Sequence, residues 1–249
     1  MSVKKTIKAF DKKILKGFLS NISLLIYRKK KFKNKIKSIN LNLSVSEKKI
    51  ILLSDLLNKS PDDGIVVECG VGVGFSLTAI SNLTKKKIYA FDSFEGFPEK
   101  ISENDKSVAD TVDINDVLKY SKFHYKYMSE DLVKQNLIKN GIKNEYIQNN
   151  ITMKKGFFPK SFIGFNEKIS FLHLDVDLYD SYKDCLNFFF PKVVSGGIIA
   201  FDEYIDSKIN ETKKGWDWHG AKIAIDEFLK DKNLDLLSHP MGFKYVIKN

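Results

Sequence analysis

The residues Gly64 to Ser76 (Gly-Ile-Val-Val-Glu-Cys-Gly-Val-Gly-Val-Gly-Phe-Ser) restrict what this 249-residue chain can fold into more than any other stretch. A short β-branched run predicts a buried strand. Three glycines at alternate positions follow, Gly70, Gly72 and Gly74, and Ser76 then offers an N-cap for a helix over 77–83. Strand, glycine loop and helix in that order let backbone come close to a nucleotide-like ligand, because a Cβ would block the approach or forbid the turn. Residues 87–91 read as a second strand that ends in Asp92, an acid placed to accept hydrogen bonds from both ribose hydroxyls of an adenosine. A tight turn packing a helix on a sheet would use the same glycines. The acid on the next strand is what favours an adenosine-type ligand, with Glu68, Gly70, Gly72, Gly74, Ser76 and Asp92 as candidate binding residues.

Dinucleotide sites usually carry Gly-x-Gly-x-x-Gly, whereas the spacing here is Gly-x-Gly-x-Gly after Glu68. That resembles the first motif of class I methyltransferases that use S-adenosylmethionine (SAM). In that family the acid and glycines surround the methionine part of SAM and the second-strand acid takes the ribose.

The rest of the chain alternates strands with helices, which predicts an α/β fold with a mostly parallel, doubly wound sheet. Helical signals cover 46–58, about 130–139, 181–190 and 219–231. Strands are expected at 64–69, 87–92, about 151–155, 169–174 and 198–201, with a turn at Ser195-Gly196-Gly197. Two short apolar runs, 234–237 and 243–247, flank His239-Pro240-Met241-Gly242 and predict a C-terminal antiparallel hairpin. No periodicity is visible in 99–113, and the polar stretch to about Asp116 is expected to be a mobile loop over the site. In a parallel sheet, ligands bind beyond the carboxyl ends of the strands. Five expected strands end there in an acid or glycine: Glu68, Asp92, Gly156, Asp175 and Asp202.

Asp175, Asp177, Asp202 and Glu203 should crowd the ends of the fourth and fifth strands. Oxygen ligands alone suit a hard cation such as Mg²⁺, and the carboxylates would repel one another without one. A cation there could lower the pKa of a substrate hydroxyl so that Asp175 or Asp177 takes its proton. The competing reading is that one or two of these acids cap the helices that follow. Of the four histidines, none has metal-ligand spacing. His173, inside a strand, is expected to be a satisfied core residue, and His219, just before the last helix, is a candidate base. Phe157 or Phe158, after Gly156, could flank an adenine. No hydrolase triad and no Gly-x-x-x-x-Gly-Lys-Ser/Thr loop occurs.

Composition matters chiefly at the N-terminus. The net charge is +10, yet residues 1–37 hold 13 Lys and Arg against one acid, and the remainder holds 28 against 30. A basic cleft for nucleic acid across the domain is therefore not expected. Ile7, Phe10, Ile14, Phe18, Ile22 and Leu25 recur at helical spacing among lysines, a basic amphipathic arm (residues 1–45) ahead of a domain at 46–249. Attachment to an anionic membrane surface and packing on the domain or on a second subunit, as in a homo-oligomer, both remain open. The arm's lysines argue against a signal peptide, and no run is long enough to span a bilayer, so a cytoplasmic location is expected, with contact at the inner membrane face if the arm binds it. Cys69 and Cys185 read as small apolar fillers.

Six stretches then converge: 67–74, Tyr89-Ala90-Phe91-Asp92-Ser93-Phe94-Glu95-Gly96-Phe97-Pro98, Lys155-Gly156-Phe157-Phe158-Pro159, Leu172-His173-Leu174-Asp175-Val176-Asp177-Leu178-Tyr179-Asp180-Ser181, 196–204 and 220–228. Together, over roughly residues 60–248, they resemble the macrocin O-methyltransferase family, which methylates sugar hydroxyls with SAM and Mg²⁺. The resemblance implies a Rossmann-like class I methyltransferase fold and a small-molecule glycosyl acceptor. It implies that Glu68, Gly70 and Gly72 line SAM, that Asp92 and Ser93 hold its ribose, and that Asp175 or Asp177 with Asp202 and Glu203 holds the metal. Glu203 stands where the family commonly has a second Asp, and it reaches further. A nicotinamide-dependent oxidoreductase and a non-catalytic, membrane-tethered binding protein are the competing readings.

Overall fold

A computed structural model describes residues 45–105, 113–205 and 218–249. Residues 52–249 form one compact unit; of the other, residues 1–51, only the start of the first helix is described, so the expected basic arm lies outside the described residues. The elements run α1 (Val45–Lys59), β1 (Ile65–Cys69), α2 (Phe75–Leu83), β2 (Ile88–Asp92), α3 (Ile114–His124), α4 (Glu130–Lys139), α5 (Asn144–Asn150) and β3 (Ile151–Lys155). They continue with β4 (Ile169–Leu174), α6 (Tyr179–Phe189), β5 (Val193–Ile205), α7 (His219–Lys232), β6 (Leu237–Ser238) and β7 (Phe243–Ile247).

The seven strands form one sheet in the order β3-β2-β1-β4-β5-β7-β6. The first five are parallel, and β7 and β6 are antiparallel, as the hairpin signal predicts. β4 lies at the centre, and every one of its residues, Ile-Ser-Phe-Leu-His-Leu, is buried. Side chains alternate across a strand. Leu172 and Leu174 accordingly enter a core with Tyr182, Cys185 and Phe189 of α6 and with Ala224 and Ile225 of α7. His173 therefore points to the other face. Both cysteines are free and buried in this core, as expected.

Several boundaries differ from the sequence reading. Ser76 is not the N-cap of α2. The helix starts at Phe75, with Gly74 in the left-handed conformation as its cap residue and Ser76 buried in the first turn. Ser195-Gly196-Gly197 is not a turn before β5 but an irregularity inside it: β4 pairs Ile169 with Val193 and then Phe171 with Ile198. Part of the stretch read as a mobile loop is ordered secondary structure, a 3₁₀ turn at Glu103–Asp105 and α3 from Ile114. Residues 106–112 lie outside the described residues.

Candidate active site

The glycine loop leaves β1 and runs directly against the end of β4. The Asp175 N–H donates to the Cys69 carbonyl at 2.9 Å. Gly70 has φ +83, and a Cβ there would lie 1.7 Å from the Asp175 carbonyl oxygen. Only glycine permits both the left-handed backbone and this approach. Asp92 reaches across from β2: its Oδ2 accepts from the Val71 and Gly72 N–H groups at 2.7 and 3.0 Å, and its Oδ1 from Phe94 at 2.6 Å. The acid expected at a ribose is thus also the clamp that shapes the loop. Ser93 closes the next turn, donating to the Gly96 carbonyl at 2.7 Å and accepting from the Glu95 N–H at 3.1 Å. Phe94 holds φ +51 between them, an uncommon conformation for an aromatic residue and one seen mostly at functional turns.

The four acids expected at the ends of β4 and β5 do come together. Ligand atoms of Asp175, Asp177 and Glu203 lie within 4.8 Å of one another, and so do those of His173, Asp175 and Asp202. Asp175 belongs to both groups. Asp177 reaches its position through a left-handed turn, φ +58, between β4 and α6. Asp202 and Glu203 owe theirs to a bulge. β7 pairs Lys244 with Phe201 and Phe243 with Ile205, so residues 202–204 are lifted out of the ladder. Bulges re-aim side chains in this way, often beside active sites. Asp202 faces His173, and Glu203 faces Tyr182 on α6, whose hydroxyl donates to the Glu203 carboxylate and lies 3.0 Å from the Leu174 carbonyl.

The electrostatics of the cluster are those of crowded acids, Glu203 buried and Asp175, Asp177 and Asp202 half-buried. Burial pushes the Glu203 carboxyl well above its usual range, and the charges of Asp175, Asp177 and Asp202 push it the same way, against the Tyr182 hydroxyl. Burial, with Glu203 beside it, also raises the Tyr182 phenol, which stays a neutral donor. A divalent cation relieves this repulsion, so the residues present fit one.

His173 departs from the sequence reading, because it is only half satisfied. Its Nδ1 lies 3.3 Å from Glu68 Oε1, its neighbour in register on β1. Its Nε2 is buried with no hydrogen-bond partner, as is Glu68 Oε2. The expected all-oxygen cluster therefore has an imidazole at its edge, and Glu68 is directed at that imidazole. Histidine two residues before Asp175 on a strand was the available signal, since i and i+2 share a face.

His219 opens α7 and belongs to neither acid group. Beside it, Gly220 is packed so closely that a Cβ would meet Asp105 Oδ1 at 1.9 Å and Tyr179 Cβ at 3.1 Å. Asp105, missed in the sequence, is 2% exposed and accepts from the Tyr179 N–H with both oxygens, at 3.0 and 3.2 Å. It joins the polar stretch before α3 to the starts of α6 and α7. At the other end of the site, Gly156 follows β3 and donates its N–H to the Asp92 carbonyl at 2.9 Å. Phe157 is exposed there, while Phe158 stacks on Phe162 with ring centroids 5.0 Å apart, so Phe157 is the aromatic that a ligand could meet.

The chain is similar to known methyltransferases in sequence pattern and fold. A family model described as macrocin-O-methyltransferase (TylF) matches residues 54–234. Among solved structures, the O-methyltransferase NovP is similar over 82% of this chain and 80% of its own, at 20% identity and a TM-score of 0.59. CalS11, a calicheamicin methyltransferase, is similar over 99% of this chain and 93% of its own, at 19% identity and a TM-score of 0.61. An apo structure of CalS11, described as a TDP-rhamnose 3'-O-methyltransferase, gives 18% identity and a TM-score of 0.52. No curated protein sequence matches.

Proposed function

Since the chain belongs to the macrocin O-methyltransferase family and is a SAM-dependent O-methyltransferase, we propose that it methylates a hydroxyl of a sugar or sugar-bearing small molecule, assisted by a divalent cation such as Mg²⁺. Family membership sets aside the nicotinamide-dependent reading. The observation that carries the proposal is the contact between the two halves of the site: Asp175, shared by both acid groups, is hydrogen-bonded to the strand that launches the glycine loop. A bound SAM would supply an electrophilic methyl group, and a cation would supply Lewis acidity towards the acceptor hydroxyl.

The residues of the chain divide the remaining tasks. The glycine loop with Asp92, Ser93 and Phe157 would line the cofactor. Asp175, Asp202 and Glu203 would hold the cation. Asp177, which sits on its own left-handed turn after β4, is the residue we assign to take the hydroxyl proton. Tyr182 holds Glu203 from behind. The acceptor class is supported by the sugar O-methyltransferase named among the structural neighbours.

Two measurements test this reading. S-Adenosylhomocysteine should raise the melting temperature, because a ligand that binds only the folded state stabilises it. Asp202→Ala should keep that shift and lose metal-stimulated methyl transfer to a sugar acceptor. Unchanged turnover in the variant would remove the cation from the reaction.

A further inference from the structure

We propose that His173 is a nitrogen ligand in the divalent-cation site, bound through Nε2, that Glu68 is the positioning residue behind it, and that the site therefore prefers Mn²⁺ to Mg²⁺. The inference rests on the reading that the acid cluster holds a cation, and it goes further by naming a ligand type and a metal preference.

Three observations carry it. First, His173 is fully buried, and its Nε2 has no hydrogen-bond partner, an arrangement native structures rarely leave without a ligand, ion or water. Second, a ring nitrogen of His173 lies in one group with carboxylate oxygens of Asp175 and Asp202, all within 4.8 Å of one another, and Nε2 is the nitrogen that faces Asp202. Its separation from Asp202 Oδ1 is 3.9 Å, too long for a hydrogen bond. An ion about 2.1 Å from each atom spans that gap. Third, the ring orientation suits the task. Nδ1 faces Glu68 Oε1 at 3.3 Å, so Nε2 is the nitrogen turned to the acids. A carboxylate, a histidine and a metal in line is the usual way an outer residue orients an imidazole ligand. Both residues lie on central parallel strands, paired in register, so neither is free to swing away.

The metal preference follows from the donor set. Mg²⁺ takes oxygen ligands and dehydrates reluctantly, whereas imidazole suits transition metals. One nitrogen among several carboxylates describes a site that takes Mn²⁺ well and Mg²⁺ less well.

The test is pulsed electron paramagnetic resonance on the full-length protein loaded with Mn²⁺. Electron spin echo modulation from a directly bound ¹⁴N is expected, converting to the ¹⁵N pattern when histidine is ¹⁵N-labelled. His173→Gln should abolish the modulation and weaken Mn²⁺ binding roughly tenfold or more, while Mg²⁺ binding changes less. His219→Gln, on a described histidine that belongs to neither group, should leave the modulation intact. Wild-type protein that binds Mn²⁺ without nitrogen modulation would overturn the inference and leave the cation reading standing. Absence of any Mn²⁺ or Mg²⁺ binding would overturn both. Modulation that persists in H173Q, or vanishes in H219Q, would overturn the assignment to His173. Because the wild-type spectrum alone can refute the proposal, a failure of H173Q to fold does not shield it.

Discussion

Single residues in this site hold two positions at once, and Asp92 shows the consequence. Its carboxylate accepts three backbone N–H groups, two of them from the glycine loop. Hydrogen bonds to a charged group each contribute about 1.5–3 kcal/mol. Asp92→Asn should therefore loosen the loop and raise the Kd for S-adenosylhomocysteine by roughly tenfold or more, read by titration calorimetry. Asp92 was legible as a candidate site residue because it ends a strand beside the glycine loop. Its loop-clamping contacts were not, because they depend on how β2 and β1 stand side by side. His173 is the sharper case. As a lone histidine within an apolar run it reads as core, and only the register of β4 against β1 and the bulge in β5 show one nitrogen bonded and the other facing acids.

At the scale of elements, Asp105 ties the segment before α3 to α6. Burial raises its pKa from 3.8 to about 6, with the Tyr179 N–H pulling the other way. A carboxyl whose folded pKa lies above its unfolded value contributes most stability below about pH 4 and loses it as the pH rises through 6. Compared with Asp105→Asn, the wild type should lose roughly 1–3 kcal/mol of unfolding free energy between pH 4 and pH 7.5, measured by urea titration. Strong elements were readable because their patterns are strong: the β-branched run of β1, the mostly apolar stretch of β4, the apolar spacing of α7. The helices α3 and α5 were not. Ile114-Asn115-Asp116-Val117 opens a largely polar segment, and Asn144-Glu145-Tyr146-Ile147-Gln148-Asn149-Asn150 buries only Ile147. Packing context holds such helices more than propensity does. The Ser76 cap failed for a related reason: Gly74 can adopt the left-handed backbone that a serine cap would have replaced.

At the scale of the whole molecule, one aromatic cluster underlies the α6 face of the sheet. Phe189 contacts the rings of Phe91, Phe162 and Phe165, with centroids 5.2, 4.7 and 5.4 Å away. Phe189→Ala should cost about 3–5 kcal/mol of global stability, seen as an earlier denaturation midpoint with an unchanged slope. The sheet order explains how residues so far apart in the chain meet. β1 and β5 both flank β4, so the glycine loop and the acid pair converge on one edge. The bulge that presents Asp202 and Glu203 is framed by β7, made well after the acids themselves. During synthesis the cofactor loop, His173 and Asp175 are therefore all present before the frame for the last two acids exists. A nascent chain would hold an incomplete set of donors, unable to grip an ion firmly until its own closing strand had slotted into place. On the proposed cation reading, metal loading would follow the docking of β7 and so come late in the making of the protein.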